Sequence, residues 1–249
     1  MRNYKMKALI VLPHLDDEFA LVPIIKQILS YSGDNIRFIF CAERKNCAIM
    51  QRKRRAENIK ALELLGCRRE QVIYLNDHFP VDDLRLIDAS DEIYSFIRQF
   101  VVANNFKQII TLNLEGGHPD HDSLALIVGK LSDNDKSLRT FFVPAYNNRR
   151  TNVIPLSVFR PLEAQKSFFI KESHSLFIWI DALKIAFIYT SERSAFIKLL
   201  PFIVYNSIFS RSIYVSEKID IETVDWNESL SLKRYSVSKQ DIMKKIEEL

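Results

Sequence analysis

Glycine is scarce in this chain, five in 249 residues, and none of the five falls where a dinucleotide would need it. The turn after the first apolar run reads Pro13-His14-Leu15-Asp16-Asp17. A nucleotide fold wants a Gly-rich fingerprint there, and two carboxylates would face the pyrophosphate, so electrostatics excludes that class. Cysteine is scarcer still. Cys41, Cys47 and Cys67 are an odd set with no CxxC pair, which argues against a disulfide framework and for a reducing compartment, the cytoplasm. Long apolar runs are missing too. Leu199 to Ser210 carries no charge but spans twelve residues and includes Pro201 and Asn206, well short of the ~20 a membrane helix needs. A buried helix or strand is expected there in preference to an interfacial one. Ala8 to Leu12 stops at Pro13, too short for a signal-peptide core, and reads as a first strand. The net charge of +4 gives no strong nucleic-acid or membrane signal.

Few glycines and eight prolines leave little room for disordered linkers, and 47% hydrophobic with 27% charged residues is ordinary for a globular chain. The length fits one large domain. Short β-rich runs alternate with helix-period segments through the first 145 residues. Strands are expected at Met6–Leu12, Asn35–Cys41, Gln71–Leu75, Gln108–Leu112 and Thr140–Val143. Helices are expected at Phe19–Tyr31, Cys47–Leu65 (closed by Gly66), Ala89–Asn104 and His121–Leu131. Near-continuous apolar strands separated by helices predict an α/β fold, Rossmann-like, with a mostly parallel sheet and helices on both faces. After Pro144 the pattern loosens. Asn147–Pro161, with Arg149 and Arg150, reads as a loop, Ser175–Ile180 as a strand, Ala182–Leu200 as a helix, and Lys239–Leu249 as a charged amphipathic helix. There is no internal repeat. We therefore expect one domain over 1–249, with 1–145 the core and 146–249 walling the cleft and completing the sheet.

Two acidic-histidine clusters carry the chemistry: His14-Leu15-Asp16-Asp17-Glu18 and Gly116-Gly117-His118-Pro119-Asp120-His121. Each follows the end of an expected strand, where open α/β sheets bind ligands, so the two can converge. His14 and Asp17 stand three apart at a strand-to-helix turn, leaving Asp16 free for proton transfer. Zinc wants two imidazoles, a carboxylate and an open position for water, with a spare base beside it. Alone, the first cluster also fits a carboxylate-rich helix start, and the second fits surface histidines beside a helix-starting proline. Together they point to one site: zinc on His14, Asp17 and His121, with His118 left over.

Pro13-His14-Leu15-Asp16-Asp17-Glu18 and His118-Pro119-Asp120-His121 resemble the two signature motifs of the LmbE-like, or PIG-L, zinc de-N-acetylases. That family includes the N-acetylglucosaminyl-phosphatidylinositol and mycothiol-pathway deacetylases. Arg54, Glu57, Ala61 and Leu65-Gly66 match its pattern on the second helix, with weaker echoes at Lys184 to Ser191 and Tyr214 to Glu217. The resemblance implies His14, Asp17 and His121 as zinc ligands and Asp16 as general base. It implies His118 as stabiliser of the oxyanion or proton donor to the leaving amine, with Asp120 fixing the tautomer of His118. Leu15 departs from the usual proline. Gly116 departs from a tyrosine that some members use at the oxyanion.

Arg54, on the helix face it shares with Glu57, is expected to hold a sugar hydroxyl or phosphate, or else to form a structural ion pair with Glu57. Asp83, in the loop after the third strand, is expected to meet substrate hydroxyls. His78 and His174 read as structural, and Trp179 and Trp226 as core or cleft wall. The reading is a zinc-dependent hydrolase that removes an acetyl group from an N-acetyl amino sugar, free or in a nucleotide-, lipid- or glycan-linked conjugate. Ferrous ion is the other metal to consider. Nucleic acid is not a partner, peripheral membrane contact is not favoured, and nothing in the sequence sets an oligomeric state. The alternatives are a zinc amidase on a different sugar or thiol conjugate, and a sugar-binding protein that keeps the fold without turnover.

Overall fold

The computed structural model describes residues 7–44, 47–116, 118–147, 157–159, 168–171, 175–209, 212–219, 221 and 239–249. Five strands, β1 (Ala8–Leu12), β2 (Ile36–Phe40), β3 (Val72–Tyr74), β4 (Gln108–Leu112) and β5 (Arg139–Val143), form one sheet in the order β3-β2-β1-β4-β5. Every pairing within it is parallel. The connections are α1 (Val22–Ser32), α2 (Ala48–Leu65), α3 (Ser90–Asn104) and α4 (Pro119–Asn134). The apolar runs are strands because both their faces are covered. Along β1, Ala8, Ile10 and Leu12 enter one core with Ile25 of α1 and Leu62 of α2, while Leu9 and Val11 enter the other with Ile97 of α3 and Leu124 of α4.

Local chemistry sets the helix ends. α2 stops at Gly66, whose φ of +94° is left-handed and whose amide donates to the carbonyls of Glu63 and Leu62. The expected helix from Phe19 begins instead as a 3₁₀ turn over Asp17–Leu21, and α1 takes over at Val22. Pro23 has no amide to donate back to Phe19, so a continuous α-helix would lose that bond.

The C-terminal part corrects two expectations. Ser175–Ile180 is not a strand but the first half of α5 (Ser175–Ile188). A short apolar, aromatic-rich run does not separate strand from buried helix by period alone, and the helical continuation decides it. The single helix expected over Ala182–Leu200 is two, broken by a 3₁₀ turn at Thr190–Glu192 before α6 (Arg193–Phe209). The Leu199–Ser210 stretch lies mostly in α6, where Ile203 is buried and Leu199 and Phe202 are half-buried against the core, while Pro201, Val204 and Tyr205 are exposed. Two short pairs, β6 (Tyr146–Asn147) with β7 (Ser157–Val158) and β8 (Phe168–Lys171) with β9 (Ser212–Val215), are antiparallel. Phe142 and Ser216 exchange both backbone hydrogen bonds, at 2.8 and 2.9 Å, and so tie β9 to the outer edge of β5. The closing helix α7 (Lys239–Glu248) buries Ile242 and Ile246. His174, Arg149, Arg150 and Trp226 lie outside the described residues.

Candidate metal and catalytic site

β1 and β4 are neighbours whose following connections leave toward opposite edges of the sheet. That is the topological switch point, where a crevice opens beyond the strand ends. The first cluster is held there by its own turn. The amides of Cys41 and Ala42 donate to the carbonyls of Leu12 and Pro13 at 2.9 and 2.8 Å, and the His14 amide donates to Asp17 Oδ2 at 2.8 Å. Leu15, at the departure from proline, is buried in the core. Its carbonyl accepts from Asn58 Nδ2 at 2.7 Å and from the Tyr189 hydroxyl. Tertiary hydrogen bonds thus fix a turn that lacks the ring's rigidity.

The second cluster is set by α4. Asp122 Oδ1 accepts from the amides of Glu115 and Gly116 at 2.9 and 3.0 Å. Gly116 has φ of +68°, a conformation that disfavours the tyrosine of some family members. His118 caps the helix, its Nδ1 accepting from the Asp120 amide at 3.3 Å. Pro119 opens the helix, and His121 is buried in the same first turn.

The two clusters meet. The ring centroids of His14, His118 and His121 lie 4.7 to 5.3 Å apart, and one ring nitrogen from each falls within 4.8 Å of the others. Asp17 stands between two of them, with Oδ2 3.2 Å from His14 Nδ1 and Oδ1 3.3 Å from His121 Nε2. Ligands in a tetrahedral zinc site, with bonds of ~2.0–2.1 Å, stand roughly 3.3–3.4 Å from one another. The three imidazoles form the grouping whose single donor atoms lie within 4.8 Å of one another, and Asp17 stands beside His14 and His121 through a different oxygen to each. A second grouping, His14, Asp83 and Asp120, also has donor atoms within 4.8 Å, but there Asp120 is already occupied. Asp120 Oδ2 takes His14 Nε2 at 2.9 Å and the Leu84 amide at 2.7 Å, and its Oδ1 takes the Leu86 amide at 3.0 Å. The Asp120 carboxylate therefore orients His14, leaving Nδ1 to face Asp17, an arrangement common behind metal-bound histidines. Its link to His118 runs through the backbone amide.

Asp16 is apart from this set. Burial, then the charge of Asp17, push its carboxyl up, and Arg54 pulls it down, with a net rise. Burial likewise works to raise Asp17, but the His121 and His14 interactions outweigh it and hold the carboxyl far below the usual range. Burial and the neighbouring His14 and His121 push His118 well below the usual imidazole value, so this ring is neutral near pH 7. Because Nδ1 accepts from Asp120, its proton sits on Nε2.

Arg54 and Asp83 both reach the site, in partnerships other than those expected. Arg54 Nη2 is 3.3 Å from Asp16 and Nη1 3.3 Å from Glu192, and its Nε is buried with no hydrogen-bond partner among the described residues. Glu57 is not the partner of Arg54. Its carboxylate accepts from the Thr190 and Ser191 hydroxyls, because the turn after α5 brings those groups to the same helix face. Asp83 lies 3.3 Å from His14 Nε2 and accepts from Arg44 Nε at 2.7 Å. Sequence reasoning missed Glu192, Arg44, Asn58 and Tyr189. The weak echo at Lys184 to Ser191 was the signal nearest to the 3₁₀ turn, and Arg44 follows the carboxyl end of β2 as the other site residues follow β1 and β4. His78 is exposed against Phe96, with ring centroids 4.8 Å apart.

The fold and crevice define an open, parallel α/β protein with its polar site at the switch point. Residues 9–131 match the family model described as PIG-L, GlcNAc-PI de-N-acetylase. Comparison with curated protein sequences gives no match. Solved structures share the fold at low identity. The A40926 pseudoaglycone deacetylase Dbv21 is 13% identical, with 87% of this chain and 99% of that one covered and a TM-score of 0.61. A deacetylase of teicoplanin biosynthesis is 15% identical over 84% of this chain and 95% of its own, with a TM-score of 0.59. N,N'-diacetylchitobiose deacetylase from Pyrococcus horikoshii is 16% identical over 84% and 81%, with a TM-score of 0.53.

Proposed function

We propose that this chain is a metal-dependent deacetylase acting on an N-acetylated amino sugar, free or within a nucleotide-, lipid- or glycan-linked conjugate. The observation that carries this reading is the spacing of His14 Nδ1, Asp17 and His121 Nε2, at 3.2 and 3.3 Å about the shared carboxylate, with Asp16 beside them and outside the set. Zinc is the ion assigned, with ferrous ion the other candidate. Held there, such an ion supplies Lewis-acid polarisation of an amide carbonyl and acidifies a water towards pKa ~7.

The remaining work falls to side chains. Asp16 accepts the proton of the attacking water, and Arg54, 3.3 Å away, holds that carboxylate in place. As the new C–O bond forms and the C–N bond breaks, the amine leaves with the proton that Asp16 took from the water, while neutral His118 donates a hydrogen bond from Nε2 to the oxyanion. Acetate and a free amino sugar result. Arg54 and Asp83 are assigned to sugar hydroxyls at the mouth. The whole of 1–249 is read as one domain, the C-terminal part walling the cleft, and the free cysteines agree with a cytoplasmic setting.

The test is acetate release from a panel of N-acetyl amino sugars and their conjugates, with metal content measured on the same protein. Metal together with release supports the reading. Metal without turnover on any member, or release of another acyl group, overturns it.

A further inference from the structure

α6 has an outward face unlike that of a helix in water. At 100° per residue, Arg193, Val204, Ile197, Pro201, Ser194, Tyr205 and Lys198 fall in that order around an arc of about 140°, and all seven are exposed. The centre of the arc is apolar but for the small Ser194, with Ile197 61% and Tyr205 49% exposed, and a cation stands at each flank. Phe196 and Ile203, on the far side, are buried. No aspartate or glutamate occurs between Arg193 and Phe209. On α5, Phe187 is 75% exposed, and with Arg193, Ile197 and Leu200 it lines a cavity of about 310 Å³ between the two helices.

An apolar stripe bordered by cations is the pattern of a helix lying in a membrane interface, its apolar side chains among the acyl chains and its long basic side chains reaching the phosphates. No helix among the described residues is long and apolar enough to cross a membrane. A second copy of this chain fits the face poorly. In a two-fold contact the same patch meets itself, setting Arg193 and Lys198 against like charges with no acid on α6 to answer them.

We propose that the α5–α6 hairpin docks on the surface of an anionic lipid bilayer. α6 begins one residue after Glu192, which bonds Arg54 at the mouth of the site and also reaches Arg44. Docking therefore holds the crevice at the lipid–water boundary, where an amphiphilic substrate would be presented. The docking stands whether or not the deacetylase reading does, because its measurement is binding and not turnover.

The experiment is flotation of the full chain with vesicles of phosphatidylcholine alone and of phosphatidylcholine with phosphatidylglycerol. The expected result is flotation with the anionic vesicles, less with the neutral ones, and release by salt. Lys198→Gln should lower the partition about fivefold, the effect of one basic group at such a surface. Ile197→Glu should abolish flotation with the melting temperature unchanged, since the site is exposed. Protein that stays in the soluble fraction with both vesicle types at low salt overturns the proposal, as does equal flotation of Ile197→Glu. Sedimentation equilibrium showing a dimer that Ile197→Glu dissolves would assign the face to a second copy and also overturn it.

Discussion

Asp16 and Asp17 are adjacent and chemically identical, yet their surroundings give them different work. Asp17 is locked between two imidazoles, while Asp16 faces Arg54 and lies outside the donor set. Asp16→Asn should leave metal content unchanged and lower kcat by about 10²–10⁴-fold, the usual range for a lost general base. His121→Ala should lose both metal and turnover. Metal analysis alongside initial rates separates the two, and the reverse pattern would overturn the assignment. The thiols divide in the same way by environment. Cys41 and Cys67 are buried; burial raises both, Cys67 to about 12. Cys47 is exposed at the start of α2, where the amides of Met50 and Ile49 stabilise its thiolate and lower its pKa. Iodoacetamide on the native protein should label Cys47 first, with the other two reacting only on unfolding; mass spectrometry of peptides reads the order.

Helix ends and turns here depend on a few backbone positions. Gly66→Ala forces a Cβ into a left-handed residue at the end of α2, and a loss of roughly 1 kcal/mol is expected in urea unfolding. Asn58 is buried and bonds Leu15, Glu18, Tyr74 and Tyr189. Asn58→Ala should cost about 1–3 kcal/mol by leaving buried partners unpaired, and should also loosen the turn that carries His14. The five sheet strands and the four crossover helices could be read from the sequence because buried parallel strands are short apolar runs and the intervening helices have their own period and stop signals. α5 could not, because Ser175 to Ile188 is apolar on most sides and has no contrast to set a period. The meeting of the two clusters was legible because each is local and sits where a strand ends. Glu192, Arg44 and Tyr189 were not, since each is a single polar residue brought in by a distant segment, and only the folded chain shows that Glu57 meets Thr190 and Ser191 instead of Arg54.

At the scale of the molecule, the order β3-β2-β1-β4-β5 makes His14 and His121, 107 positions apart in the chain, neighbours across one crevice. An ion there would join the turn after β1 to the first turn of α4, and a ligand that binds only the folded state stabilises it by mass action, ~2.7 kcal/mol at a hundredfold excess over Kd. Chelation should therefore lower the melting temperature, and added zinc should restore it. Calorimetry with and without chelator measures this, and an unchanged transition would count against an ion bridging those two elements. The assignment is tested most directly by anomalous diffraction at the zinc edge from crystals of the metal-loaded protein. The expected result is one peak within ~2.0–2.2 Å of His14 Nδ1, an Asp17 oxygen and His121 Nε2. A peak among His14, Asp83 and Asp120, or none in crystals of a protein that carries stoichiometric metal, would contradict it.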